Sequence, residues 1–478
     1  MRTWREASGV GTAMRLVLAG AAAGAMGWGI RGQYGHETGA MIAGLLVSLV
    51  IVLGIRPDAS RHAALRAVAF GTIGVGFGGA MTYGQTLGLS HDPALVGHWD
   101  ALRWSLLGVA LKGAVWIGWF GACLGMGLSP VRYRAREMAL LMLALVGATF
   151  VGTWLFNAPF DPDARVLPHL YFSADWHWQP DAPSLTPRRE VWGGLLVALV
   201  ALAGYVRVVR RDAATLRLLR WGVVGGGLGF PLGQSLQAWH AWNPEMFASG
   251  VWASLDPHIN WWNTMETTFG AVMGTAVTWG AWRHRHAWAP MTTPAVTSLP
   301  AGFEWVGITT HVVLLVLAEF TDVPVLGRYA DITLLMGVLP LALVAEGRWA
   351  PAVLALPGTL LPIAGKTVRR LVYEEQAIAP LAGWLLYAVV PLALMGAAAW
   401  WLTRRRDLED ETGRGARRDV RRALLLATWT CVALNFAFFA YPWPWAPWTT
   451  RTLHALVFFA CAGVVTWVSR DGEFLHPG

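Results

Sequence analysis

Charge is what this sequence has least of. Asp, Glu, Lys and Arg together make up 14% of the 478 residues, against 55% hydrophobic ones and a mean hydropathy of +0.44. A water-soluble chain carries about a quarter charged residues, so the composition excludes an ordinary soluble domain and indicates an all-α, polytopic membrane protein. Cysteine is scarce too. Cys123, Cys431 and Cys461 each stand in an apolar stretch without metal-ligand spacing, and they read as small buried hydrophobes. No glycine-rich run ends in Gly-Lys-Ser/Thr, which argues against ATP-driven transport within this chain. The glycine-rich stretch 71–79 lies inside an apolar run with no strand before it, so it is not a dinucleotide loop. No His-Glu-x-x-His or His-x-His pairing falls within a span, and neither metal nor cofactor is expected.

The formal charge of +8 comes from arginines placed in short loops between apolar runs, with no basic face interleaved with aromatics. That distribution follows the positive-inside rule and argues against nucleic acid as a partner. Apolar runs long enough to span recur from 14–30 to 451–469, giving about 14 transmembrane helices. The first run has no small-residue cleavage site after it and is read as a transmembrane helix rather than a signal peptide. With both termini cytoplasmic in a cell (inner) membrane, the arginine-rich loops fall on one side. The Asp-, Pro- and Trp-rich segments 157–190 and 237–262 fall on the other. Lys366 to Arg370 depart from this rule, placing basic charge outside. The tract from Tyr441 to Trp448 holds three prolines and four aromatics; it cannot be helical throughout and suits the interfacial belt.

Glycine and glutamine carry the strongest pattern. Three apolar, glycine-rich segments end in a Gly-Gln pair, at Gln33, Gln85 and Gln234. Segment 76–125 aligns with 225–274 without a gap, and twelve positions are identical, Gln85 with Gln234 and His91 with His240 among them. Chance in this composition gives about four. The pattern predicts parallel hairpin repeats, 71–129 and 220–278 with a partial copy at 19–54, inside an N-terminal bundle 1–285. A cytoplasmic linker 286–302 and a C-terminal bundle 303–478 would follow. The glycines also have a packing reading, since small residues let membrane helices approach closely.

A buried amide is unfavourable unless hydrogen-bonded, so polar side chains recurring at one depth point to a built site. The candidate binding residues are Arg31, Gln33, His36, Glu37, Gln85, His91, Gln234 and His240, with the three glutamines expected to face one cavity. An exposed loop with an Arg31–Glu37 ion pair is the plain alternative for the first cluster. Lys112 and Glu266 lie inside apolar runs and would neutralise one another, or Lys112 would pair with Glu37; Glu319 belongs to an outward acidic patch with Asp322 and Asp331.

The reading this supports is a secondary permease for a small polar or anionic solute, with its site in the outer half of the N-terminal bundle. Arg31 would meet an anionic group, and Glu37 or Glu266 would carry a coupling proton. The alternative is an intramembrane glycosyl- or acyltransferase acting on a lipid-linked substrate, with His36–Glu37 as general base and 157–190 as acceptor platform. A non-catalytic membrane subunit is the third reading. Partners are the lipid bilayer and a small polar solute; the sequence leaves open a homo-oligomer or a larger membrane complex.

Overall fold

The computed structural model describes residues 2–32, 37–55, 59–182, 185–288, 299–321, 333–404, 413–439 and 446–470. Helices and connecting turns make up these residues, with no strand among them. Among the described residues, nine helices are long and apolar enough to cross a membrane, as in a multi-pass membrane protein.

Helices α1 (Arg2–Arg31) and α2 (Glu37–Ile55) form the first hairpin. Helix α3 (Arg61–Gly78) is capped by the Ser60 hydroxyl and leads through an irregular turn to short α4 (Gly84–His91). Then follow α5 (Trp99–Leu128), α6 (Ala135–Phe156) and, after the segment 157–191, α7 (Trp192–Gly204). Helix α8 (Ala213–Trp242) continues through Pro231 and is followed by short α9 (Pro244–Phe247), α10 (Gly250–Leu255) and long α11 (Trp261–Arg283). The remainder comprises α12 (Ala301–Phe320), α13 (Thr333–Glu346), α14 (Ala350–Ala355), α15 (Pro357–Val368), α16 (Pro380–Trp384), α17 (Val390–Arg404), α18 (Gly413–Phe439) and α19 (Thr452–Arg470). The expected spans at α3, α8, α11, α13 and α18 are not among the nine. Glycine, tryptophan and amide side chains lower the hydropathy of α8 and α11, whose inner faces meet protein instead of lipid.

Helices α5 and α8 cross at the centre, α1 crosses α11, and α8 packs along α11. Glycine sets both crossings. A methyl group at Gly226 would fall 1.9 Å from the Gly113 carbonyl oxygen, and one at Gly270 would fall 2.2 Å from that of Gly24. Any larger residue there would push the backbones apart. Rings fill the space between the crossings: Trp28 meets Phe269 edge-on at 4.4 Å, and Phe269 stacks on Phe230 at 4.6 Å. The C-terminal helices join this assembly directly. Helices α13 and α14 pack on α3, α18 packs on α2, and α19 packs on α1, so one hydrophobic core runs through both parts of the chain.

The two ends of the bundle differ. At one end the loops after α5 and α7 are tied together: Arg210 donates to the Arg132 carbonyl and Tyr133 donates to Asp212. At the other end lie 157–190 and the short helices α9 and α10. The basic segment at Lys366 to Arg370 is answered by carboxylates: Arg369 lies 3.3 Å from Glu319 and Arg370 lies 2.6 Å from Glu375. Its charge is largely cancelled locally, so it weighs little in the arginine count that orients the chain.

Candidate functional site

Two buried ion pairs and one open cavity hold most of the polar residues singled out in the sequence. Arg31 ends α1 and is only 2% exposed. Its guanidinium donates to the Tyr83 hydroxyl and, at 2.9 Å, to Glu266 Oε1 on α11; Tyr83 in turn donates to the same oxygen at 3.1 Å. The rings of Trp28, Tyr83 and Trp116 lie 5.1–5.3 Å from the guanidinium carbon, within cation–π range. Gly32 makes room for the carboxylate, since a Cβ there would sit 2.2 Å from Glu266 Oε2. Arg31 is therefore committed to Glu266, Tyr83 and three rings.

Lys112 is fully buried on α5, and its partner is neither Glu37 nor Glu266 but Glu190, at 2.6 Å. The ammonium also donates to the Thr82 carbonyl at 2.8 Å and to Thr86 Oγ1 at 2.7 Å, which uses its three protons. Glu190 is equally saturated, accepting from the Phe172 amide, the Ser173 hydroxyl and the Trp192 indole. The Thr82 carbonyl belongs to the break between α3 and α4. Irregular backbone deep in such a bundle persists only where its polar groups find protein partners, and Lys112 supplies one. This pair also anchors the segment 157–190. Its Ala174 sits with Leu89, Leu95 and Ala101 in a small apolar cluster, and Trp104 donates to the Tyr171 carbonyl. Burial, with Glu190 nearby, raises the Tyr171 hydroxyl above its usual range, and burial likewise raises the Asp175 carboxyl.

The glutamines do not share partners. Gln85 belongs to the 157–190 segment: its Nε2 donates to the Thr186 carbonyl and its Oε1 accepts from the Arg188 amide, both at 2.8 Å. Gln234 is fully buried and donates to Ser90 Oγ at 2.6 Å, while its Oε1 has no partner among the described residues. Convergence of the two amides on one ligand point is thus not what the fold builds. Gln33 and His36 lie outside the described residues, as do the side chain of Glu37, Asp322, Asp331 and residues 441–445 of the proline-tryptophan tract. Glu319 stands apart from these groups, against Arg369.

The histidines do meet. A cavity of about 700 Å³ opens at the ends of α4, α8 and α11, and both His91 and His240 line it, with Gln237, Asn260, Trp261 and Trp262. His91 Nδ1 lies 2.8 Å from the Leu87 carbonyl. A carbonyl only accepts, so Nδ1 carries the proton and Nε2 is the acceptor of the neutral ring. His240 Nε2 lies 2.9 Å from Asp256 Oδ1, and the ring stacks on Trp261 at 4.4 Å; Asp256 also accepts from the Trp261 indole at 2.8 Å. Gln237 is 4% exposed and its Oε1 has no partner among the described residues. Among the described residues, no Asp, Glu, Lys or Arg lines the cavity, although Asp256 contacts two of its wall residues. No group of three or more metal-ligating side chains occurs among the described residues.

Sequence reasoning missed Glu190, Tyr83, Gln237, Asp256, Trp261 and Trp262. Gln237 had a signal, a second amide one turn after Gln234 on the same apolar helix. Glu190 had none beyond being an acid immediately before an apolar run. No known protein family, curated protein or solved structure matches the chain.

Proposed function

We propose that the chain is a multi-pass membrane permease of about 14 spans that binds an uncharged polar solute in the cavity between α4, α8 and α11. The observation that carries this reading is the meeting of His91 and His240, the matched histidines of the two aligned segments, in one cavity. Its volume lies within the range of small-molecule sites, roughly 300–1,000 Å³. Its walls combine indole faces with a few polar groups, among them the imidazoles of His91 and His240 and the amides of Gln237 and Asn260. Hydroxyl and amide groups pair with such side chains, and indole faces suit the apolar side of a sugar ring or a planar amide. Among the described residues no Lys or Arg lines the cavity, which favours an uncharged solute over the anionic one.

Glu266 lies one helical turn beyond Trp262 on α11. In the proposed cycle, protonation of Glu266 weakens its hold on Arg31 and Tyr83 and frees α1 to move against α11 at the Gly24–Gly270 crossing. The repeat reading draws support from the matched ends of the two segments, where His91 closes α4 and His240 stands two residues before the end of α8. Orientation with both termini cytoplasmic draws support from the shared end of the arginine loops.

The test is uptake into proteoliposomes of labelled uncharged solutes: monosaccharides, polyols, nucleosides and small amides. At least one is expected to enter faster than into protein-free vesicles, with Gln237→Leu lowering that uptake about tenfold. Uptake of none of them, or uptake indifferent to Gln237→Leu, contradicts the proposal. The His240–Asp256 contact favours the transferase reading as a second choice, because a carboxylate that orients an imidazole is what a general base needs. Product formation that ceases in Asp256→Asn while solute binding survives would select it.

A further inference from the structure

At the end of the bundle opposite the cavity, two basic side chains of α3 keep a ring or guanidinium nitrogen without a hydrogen-bond partner among the described residues. Arg66 lies in the second turn of α3, and its Nε is buried with no hydrogen-bond partner among the described residues. His62, four residues earlier and so on the same helix face, likewise has a buried, unpartnered Nε2. Two further arginines approach from other elements. Arg132, from the loop after α5, is within electrostatic reach of Arg66, and Arg348, from the turn between α13 and α14, is within reach of His62. The close contact of Gly127 with Ala67, where a Cβ would fall 2.6 Å from the Ala67 Cα, brings the end of α5 beside the Arg66 turn. Among the described residues, Glu346 pairs with Arg132 at 2.9 Å and Asp419 with Arg61 and Arg422.

Arg66 is partly buried with its Nε enclosed, and bringing further cations beside such a group is unfavourable unless an anion joins them. Arginine forks match the oxygens of phosphate better than any other anion donor set in a protein. Arg348 is exposed, Arg132 about half exposed and Arg66 partly buried, so an anion can reach the cluster from solvent.

We propose that His62, Arg66, Arg132 and Arg348 form a binding site for a phosphate group at this end of the bundle. The phosphate is either the headgroup diester of an anionic phospholipid or a soluble inorganic phosphate. If the arginine-rich end faces the cytoplasmic leaflet, where anionic lipids concentrate, the site sits at headgroup depth. The assignment does not depend on the solute cavity.

The experiment is native mass spectrometry of the delipidated full-length protein, offered phosphatidylglycerol, phosphatidylcholine or inorganic phosphate. Wild type is expected to retain phosphatidylglycerol over phosphatidylcholine, with Arg66→Gln and Arg348→Gln each lowering retention about tenfold. Displacement of that lipid by millimolar phosphate, or phosphate binding without lipid retention, assigns the site to the soluble anion instead and keeps the phosphate chemistry. Arg348 is exposed, so its variant folds even if the Arg66 one does not. Retention of both ligands unchanged in Arg348→Gln and in folded Arg66→Gln, or no binding of either ligand by wild type, overturns the proposal.

Discussion

Segments 76–125 and 225–274 align residue for residue, yet they fold along different lines. In the first, the leading helix breaks between Gly78 and Gly84 and the following helix, α5, is unbroken from Trp99. In the second, α8 passes unbroken through the matching stretch, while the counterpart of the first thirteen residues of α5 becomes turns and the short α10 before α11 begins at Trp261. Trp261 occupies the position of Lys112. The comparison teaches that a broken helix goes with a side chain able to answer its freed backbone. Where a lysine is present, its ammonium satisfies the Thr82 carbonyl and Glu190 satisfies the ammonium, so the broken helix is tolerated. Where tryptophan stands instead, the helix stays whole and the indole stacks on His240 in the cavity wall. Gln85 and Gln234 divide in the same way, one fastening a loop and the other bracing the helix end beneath the cavity.

The largest effect should come from the lysine. Lys112→Met or Glu190→Gln leaves a buried charge or carbonyl unanswered and should lower stability by about 3–5 kcal/mol. Thermal unfolding in detergent measures this, and the Lys112→Met, Glu190→Gln double variant should lose less than the sum of the two singles. Trp261→Phe, the change at the matched position, should leave the midpoint nearly unmoved. A large drop there would mean that the two positions share one structural role.

Next in size is the glutamine contrast. Gln85→Ala frees two backbone groups of the 157–190 segment and should cost about 1–3 kcal/mol of its docking, read as faster tryptic cleavage at Arg188 and Arg189. Gln234→Ala should leave that cleavage unchanged and lower solute uptake instead. Equal behaviour of both variants in both assays would erase the distinction between the segments.

The smallest effect is one of pH. Burial raises the Asp175 carboxyl above its usual range. A carboxyl whose folded pKa lies above its unfolded value contributes fully below the unfolded pKa, and that contribution is lost as pH rises through the folded pKa. Docking of residues 171–178 should therefore loosen with rising pH, seen as amide exchange that increases beyond the intrinsic rate. Asp175→Asn should remove the excess.

Much of this was legible in the sequence. Scarce charge and long apolar runs pointed to the helical, multi-pass class. His91 and His240 were marked by their matched spacing, because a gapless offset survives folding. Partners were not legible. Lys112 is 78 residues from Glu190 and Arg31 is 235 from Glu266, and no local period links positions joined only by helix crossings. The cavity wall was hidden for a different reason. Alignment with an unbroken helix gave no sign that 248–260 forms turns, although Gly250 and Pro257 are residues that favour them.

The most direct measurement of the central claim is solute protection at the cavity. With Cys123, Cys431 and Cys461 replaced by alanine, Ala241→Cys places one thiol on the cavity wall. A membrane-impermeant maleimide added from the non-cytoplasmic side should label it, and the transported uncharged solute should slow labelling in a saturable way that Gln237→Leu abolishes. Labelling from the cytoplasmic side alone, or labelling that no uncharged solute slows, would contradict the account.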